Sequence, residues 1–220
     1  MVGTANPTTV KFTNISLPEK RVVFYNLNWE RYQQILNALG EQRSAKLTYD
    51  KGTLEITMPL EAHEFATRMI ELFIRILVVE LGMKIKTMGS TTLDYPQLDR
   101  SAEPDNCYYI QNQEKVAGKT VDLTRDPPPD LIVEIDITHT DIDKLSLYAS
   151  MGVPEFWRYN GETLRIYRLK NRQYLEVEKS PTFPAVEKEK LYEFLAQSKI
   201  DEVEAEKSFR AYVRDNLVNF

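Results

Sequence analysis

The stretch Pro129-Asp130-Leu131-Ile132-Val133-Glu134-Ile135-Asp136-Ile137 decides how this chain folds. β-Branched residues dominate it and turn formers precede it, so it reads as a β-strand. Side chains alternate faces along a strand. Leu131, Val133, Ile135 and Ile137 therefore share one face, and Asp130, Ile132, Glu134 and Asp136 share the other. The first face is wholly apolar and the second carries three carboxylates. Glu134 and Asp136 stand about 6.6–7 Å apart along the strand axis. Unpaired carboxylates in a low-dielectric interior are costly. A hard divalent cation bound by oxygens is an economical compensation; a salt bridge to an arginine or to Lys144 is the alternative.

Outward from this strand, a helix is expected over Asp141–Met151, with Thr140 as its N-cap and Gly152 just past its end. Lys144 shares a helical face with Tyr148 and Met151, which points it inward. Upstream, Pro104 leads Asp105 into a second strand candidate that runs to Ile110. If the two strands pair, Asp105 and Glu134 converge on one cation, at about 2.0–2.1 Å per oxygen for magnesium. The Lys144 amine could then orient water or stabilise charge on a phosphate. Metal and ammonium beside a phosphodiester make a hydrolytic arrangement. Structural alternatives stand beside each assignment. Asp105 can be a turn residue, Asp130 a strand starter, Asp136 a solvated strand end and Lys144 a surface lysine.

The remaining chain reads as alternating helices and strands. Arg21–Tyr25 is a short strand candidate. Asn28 caps a helix over Trp29–Leu39 that Gly40 stops. Lys46–Tyr49 and Thr53–Met58 form a hairpin around Asp50-Lys51-Gly52. A long helix runs from Glu61 to Leu81, with Phe65, Met69, Leu72, Phe73, Ile76, Leu77 and Val79 as its apolar face. Short strands are expected at Lys84–Thr87 and Thr91–Tyr95. Residues 111–128 read as an exposed loop. Glu155–Tyr159, Thr163–Leu169 and Gln173–Glu178 read as an antiparallel meander, in which Trp157, Tyr159 and Tyr167 are core residues rather than a base-stacking platform. Helices over Val186–Gln197 and Asp201–Asn216 close the chain. The expected class is α/β, bordering on α+β, with a central mixed sheet flanked by helices on both sides. One domain over 19–220 follows a loose segment, 1–18.

Composition narrows the function classes. The chain has 220 residues, 42% hydrophobic and 28% charged, which fits a globular domain. Its net charge of −5 argues against a general nucleic-acid coat protein but leaves room for a local basic groove. Arg100, Lys115, Lys119 and Arg125 are candidates for such a surface. Cys107 is the only cysteine and there are two histidines, so neither an internal disulfide nor a structural zinc site is expected. No apolar run is long enough to span a membrane, and Met1–Pro7 lacks the features of a signal peptide. A cytoplasmic protein is expected.

Three segments together resemble the Uma2 family, which is abundant in cyanobacteria: Glu103-Pro104-Asp105, the strand Pro129–Asp136, and Asp143-Lys144 with Tyr148-Ala149-Ser150-Met151-Gly152-Val153-Pro154-Glu155-Phe156-Trp157-Arg158-Tyr159. The resemblance covers roughly residues 20–200. It implies a fold of the PD-(D/E)XK restriction-endonuclease-like superfamily and a Mg²⁺- or Mn²⁺-dependent endonuclease acting on DNA, commonly as a homodimer. It also implies Asp105 and Glu134 as metal ligands, the Ile135 carbonyl as a third, and Lys144 as a catalytic lysine moved from strand to helix. The superfamily's usual lysine position holds Asp136, which becomes an extra ligand or a modulator of the site. His63 and Glu64 match the place of a first-motif residue, with Glu61 competing, and Asp130 is a further accessory candidate. Two rivals remain. One is a non-catalytic binding or scaffolding module on a degraded nuclease fold; the other is a phosphoesterase of small nucleotides.

Overall fold

The computed structural model describes residues 20–40, 43–137 and 140–217. The segment expected to be loose, 1–18, lies outside them, as does His139. Among the described residues, eleven strands form two sheets and six α-helices accompany them. The outer sheet has the order β1 (Lys20–Phe24), β3 (Thr53–Met58), β2 (Lys46–Asp50), β6 (Arg100–Ala102), β5 (Leu93–Tyr95), and is antiparallel throughout. Helix α1 (Trp29–Leu39) packs against it. Asn28 Oδ1 caps that helix by accepting the Arg31 amide, and Gly40, at φ 72°, follows its last residue. Tyr32 stacks on Tyr49 at 4.8 Å and donates its hydroxyl hydrogen to Ser101 Oγ at 2.8 Å, tying α1 to β2 and β6.

The central sheet has the order β11 (Gln173–Val177), β10 (Leu164–Lys170), β9 (Glu155–Tyr159), β8 (Leu131–Ile135), β7 (Asn106–Tyr109), β4 (Lys86–Thr87). It is mixed, because β8 and β9 run parallel while the other pairs run antiparallel. Parallel neighbours need a crossover, and α4 (Lys144–Met151) supplies it. The two faces of β8 divide as their alternation predicts. Leu131, Val133 and Ile135 pack with α2 (Glu61–Glu80), α5 (Lys188–Ser198) and α6 (Glu202–Asn216) through Phe73, Phe194 and Phe209. Ile132 packs on the opposite face with Leu147, Tyr148, Met151 and Phe156. Helices therefore cover both faces, and the α/β class with a central mixed sheet holds.

Several local expectations change. The strands of the Lys46–Met58 hairpin do not join the mixed sheet. They form the outer sheet with β6, a three-residue strand for which no expectation was made. The N-cap of α4 is Asp143, whose carboxylate accepts the amides of Leu145 and Ser146; Thr140 instead donates its hydroxyl hydrogen to Glu55. Residues 113–116 of the supposed loop form a helical turn, α3 (Gln113–Val116). Val79 is exposed, while Ile70, Ile74 and Val78 take buried places on α2. Trp157, Tyr159 and Tyr167 are core residues, as read.

The passage between the sheets positions the site. β6 belongs to the outer sheet and β7 to the central one, and Glu103-Pro104-Asp105 is the link between them. All three residues are buried. The Glu103 carboxylate holds the outer sheet, accepting the Leu47 amide at 2.9 Å and pairing with Arg43. Asp105, two residues on, holds the central sheet by accepting the Ile135 amide at 2.6 Å.

Candidate active site

Asp105 sits at the head of β7 and Glu134 in the adjacent β8, and both carboxylates line one small cavity with Asp136 and Lys144. The two acids therefore point to the same side of the sheet. Lys144 Nζ donates to Glu134 Oε2 at 2.9 Å and to Asp136 Oδ1 at 2.6 Å. Tyr148, one turn on, donates its hydroxyl hydrogen to Glu134 Oε1. Arg158, opposite Glu134 on β9, donates to Asp136 Oδ2 at 2.8 Å. The inward face read for α4 is thus the face that meets the carboxylates.

Two further side chains close on Asp105. His63 Nε2 lies 3.1 Å from Asp105 Oδ2, and Lys46 pairs with Asp105 Oδ1. Lys46 was not anticipated. In β2 it alternates with the buried Leu47 and Tyr49, so in sequence it reads as a solvent-facing lysine, and its partner lies 59 positions away. Tyr148 carries a weak signal, since it shares a helix face with Lys144, and His63 is one of the first-motif candidates read from the sequence.

Burial and neighbours set the charges. Burial raises the Asp105 pKa, but the His63 hydrogen bond and the charges of Lys46, His63 and Lys144 outweigh it and hold the carboxyl well below the usual range. Burial lifts Glu134 to about 7; Lys144 and Tyr148 pull it down, while Asp105 and Asp136 push it up. Lys144 is buried, which disfavours its charge, but Glu134, Asp136 and Asp105 together raise its pKa and keep it an ammonium.

Other expected residues fall elsewhere. Asp130 faces away from the cavity: its carboxylate accepts the amides of Ile110 and Asn112 at 2.8 and 2.9 Å, a loop-fastening role set by the turn that follows β7. Glu61 is exposed at the start of α2. Glu64 lines an outer groove rather than the inner cavity, 3.8 Å from His63 Nδ1. Arg100 is buried against Asp50 and Ser146 and offers no surface to DNA. Lys115, Lys119 and Arg125 are exposed, and the last two pair with Asp126 and Asp122.

The inner cavity holds about 30 Å³, room for one or two waters or an ion but not for a nucleotide. Beside it runs a groove of about 480 Å³ between the outer sheet and α2, walled by Met58, Pro59, Thr67 and Arg68 among others. Lys46 and Asp105 line both spaces. These two residues therefore stand between the groove and the carboxylates.

The Uma2 family, described as "Putative restriction endonuclease", matches residues 29–197. The chain belongs to the Uma2 family. That span contains Asp105, Glu134, Asp136 and Lys144 together with the central sheet and all of the outer sheet except β1. A solved structure described as "a putative nuclease belonging to DUF820 from Anabaena variabilis ATCC 29413" aligns with this Uma2 chain at a TM-score of 0.51 and 17% identity, over 77% of this chain and 99% of that one. At that identity the likeness is one of fold. No curated protein sequence matches the chain. No helix among the described residues is long and apolar enough to cross a membrane.

Proposed function

We propose that this Uma2 protein is a magnesium-dependent endonuclease that hydrolyses phosphodiester bonds in DNA. The observation that carries the reading is the convergence of Asp105 and Glu134, from adjacent strands, in a cavity that shares Lys46 and Asp105 with a nucleotide-sized groove. Among the described residues no group of three or more His, Cys, Asp or Glu side chains is arranged to hold a metal. Magnesium does not require one, since it is usually held by one or two carboxylates with waters and substrate oxygens completing the shell. Asp105 and Glu134 fit that demand. The Ile135 amide points at Asp105, and a strand residue's carbonyl leaves on the same side as its amide, which suits Ile135 as the third ligand.

When bound, the ion would polarise the scissile phosphate and lower the pKa of a bound water. The protein's own groups do the rest. His63 and the Ile135 amide fix the Asp105 carboxylate, and Tyr148 fixes that of Glu134. Asp136 holds Lys144 protonated beside Glu134, so the residue in the usual lysine position orients the lysine that replaces it. The ammonium supplies fixed positive charge next to the reacting phosphate without reorganisation at the moment of reaction. Cutting both strands of a duplex calls for two such sites, and a twofold homodimer would supply them.

One observation favours the scaffold reading: each carboxylate of the cavity already has a protein cation as partner. Plasmid cleavage with Mg²⁺ or Mn²⁺ separates the two. The nuclease should cut, and Glu134→Ala should lose at least about 10²-fold in rate while keeping its circular-dichroism spectrum. A wild-type protein that binds Mn²⁺ nowhere and cuts nothing leaves the scaffold standing. Turnover of mononucleotides without plasmid cleavage would point to the small-nucleotide phosphoesterase.

A further inference from the structure

Five carboxylates line the cavity: Glu55 and Glu103 pair with Arg21 and Arg43, and Asp105, Glu134 and Asp136 are matched by Lys46, Lys144 and Arg158. A divalent ion entering so balanced a cluster is favoured only if one cation withdraws, because the added positive charges repel at short range in a low dielectric. The last three cations are not held alike. Lys144 bridges Glu134 and Asp136 and is enclosed. Arg158 holds Asp136, away from the Asp105 side of the site. Lys46 pairs with one carboxylate, Asp105, and that carboxylate keeps two other partners, His63 and the Ile135 amide, if the lysine leaves. Lys46 also lines the groove as well as the cavity, so its flexible four-carbon stem has open space beside it.

We propose that Lys46 is an exchangeable counter-ion, paired with Asp105 in the metal-free protein and turned into the groove to grip a substrate phosphate once a divalent cation takes its place. The proposal rests on the metal-dependent reading above. The lysine and the cation compete for one oxygen of Asp105, so each weakens the other's hold on it. The released amine adds a positive charge to the groove, whose other charged walls, Arg68, Glu64 and Glu71, are of mixed sign. In this scheme the protein grips DNA best when the metal is present, without a loop or domain having to move.

The test compares wild type, Lys46→Met and Lys46→Arg by Mn²⁺ titration, and by fluorescence anisotropy of a labelled DNA duplex in Ca²⁺ across a salt series. Lys46→Met should bind Mn²⁺ about tenfold more tightly, an ordinary coupling between competing ligands. The same variant should bind duplex more weakly, with the slope of log affinity on log salt smaller by about 0.9, the loss of one phosphate contact. Asp105→Asn added to Lys46→Met should erase the gain in Mn²⁺ affinity. A folded Lys46→Met with unchanged or weaker Mn²⁺ binding, or with an unchanged salt slope, overturns the proposal. If Lys46→Met does not fold, Lys46→Arg decides: a guanidinium pairs more firmly with a carboxylate, so Mn²⁺ should bind more weakly, and unchanged affinity refutes the exchange. Absence of Mn²⁺ binding in every form, wild type included, refutes the metal reading itself and this inference with it.

Discussion

Glu134 is the residue on which burial and chemistry conflict most. Its folded-state pKa is raised from 4.5 to about 7, so between those values the folded protein holds a proton that the unfolded chain releases. Its contribution to stability is therefore full below the ordinary glutamate range and is lost as pH rises through about 7. In urea denaturation with EDTA, wild type should lose stability relative to Glu134→Gln between about pH 5 and pH 8, by an amount on the order of a few kcal/mol. Parallel stability curves for the two proteins would contradict the assignment. Asp130 makes the opposite case. It looks equivalent to Glu134 in sequence, on the same strand face, yet it fastens the turn after β7 through two backbone amides. Asp130→Ala leaves those buried amides unpaired and should cost about 2–4 kcal/mol in urea, while cleavage per folded molecule stays near wild type. Residue type and spacing located both acids; only the path of the neighbouring loop tells them apart.

At the scale of elements, the β8–α4–β9 unit was legible because its signals agree. β-Branched alternation, a helical face carrying Lys144 and Tyr148, and Gly152 in the left-handed conformation at φ 79° all specify the same crossover. The start of α4 was misread by three residues, since Thr140 and Asp143 are both good caps and the choice depends on Glu55 in the other sheet claiming the threonine. The distinction can be measured. Asp143→Ala should cost about 1 kcal/mol, as cap losses do. Thr140→Ala should act through the contact with Glu55 instead, so a second substitution, Glu55→Gln, should make its cost markedly smaller, whereas the cost of Asp143→Ala should be additive with it.

The whole molecule was less legible than its parts. Expecting one mixed sheet was reasonable for a run of helices and strands, but the partner that captures the Lys46–Met58 hairpin is Arg100–Ala102, some fifty positions downstream and too short to show a period. Two polar residues in three hide it further. Lys46 went unnoticed for the same reason, since its role exists only once the outer sheet is laid against the central one. This architecture makes stability uneven. Amide exchange should be slowest in β7, β8 and β9, which have strands on both sides and helices over both faces, and fastest in the edge strands β1 and β11. Uniform protection across both sheets would count against that layering. The link at Glu103-Pro104-Asp105 also limits how the protein can be dissected. A fragment starting at Glu61 would keep Asp105, Glu134, Asp136 and Lys144. It would nonetheless lack one wall of the groove and the amine at its mouth, and so carry the proposed ligands in a basin open to bulk water. In this fold the minimal domain is defined by what encloses the acids rather than by the acids themselves.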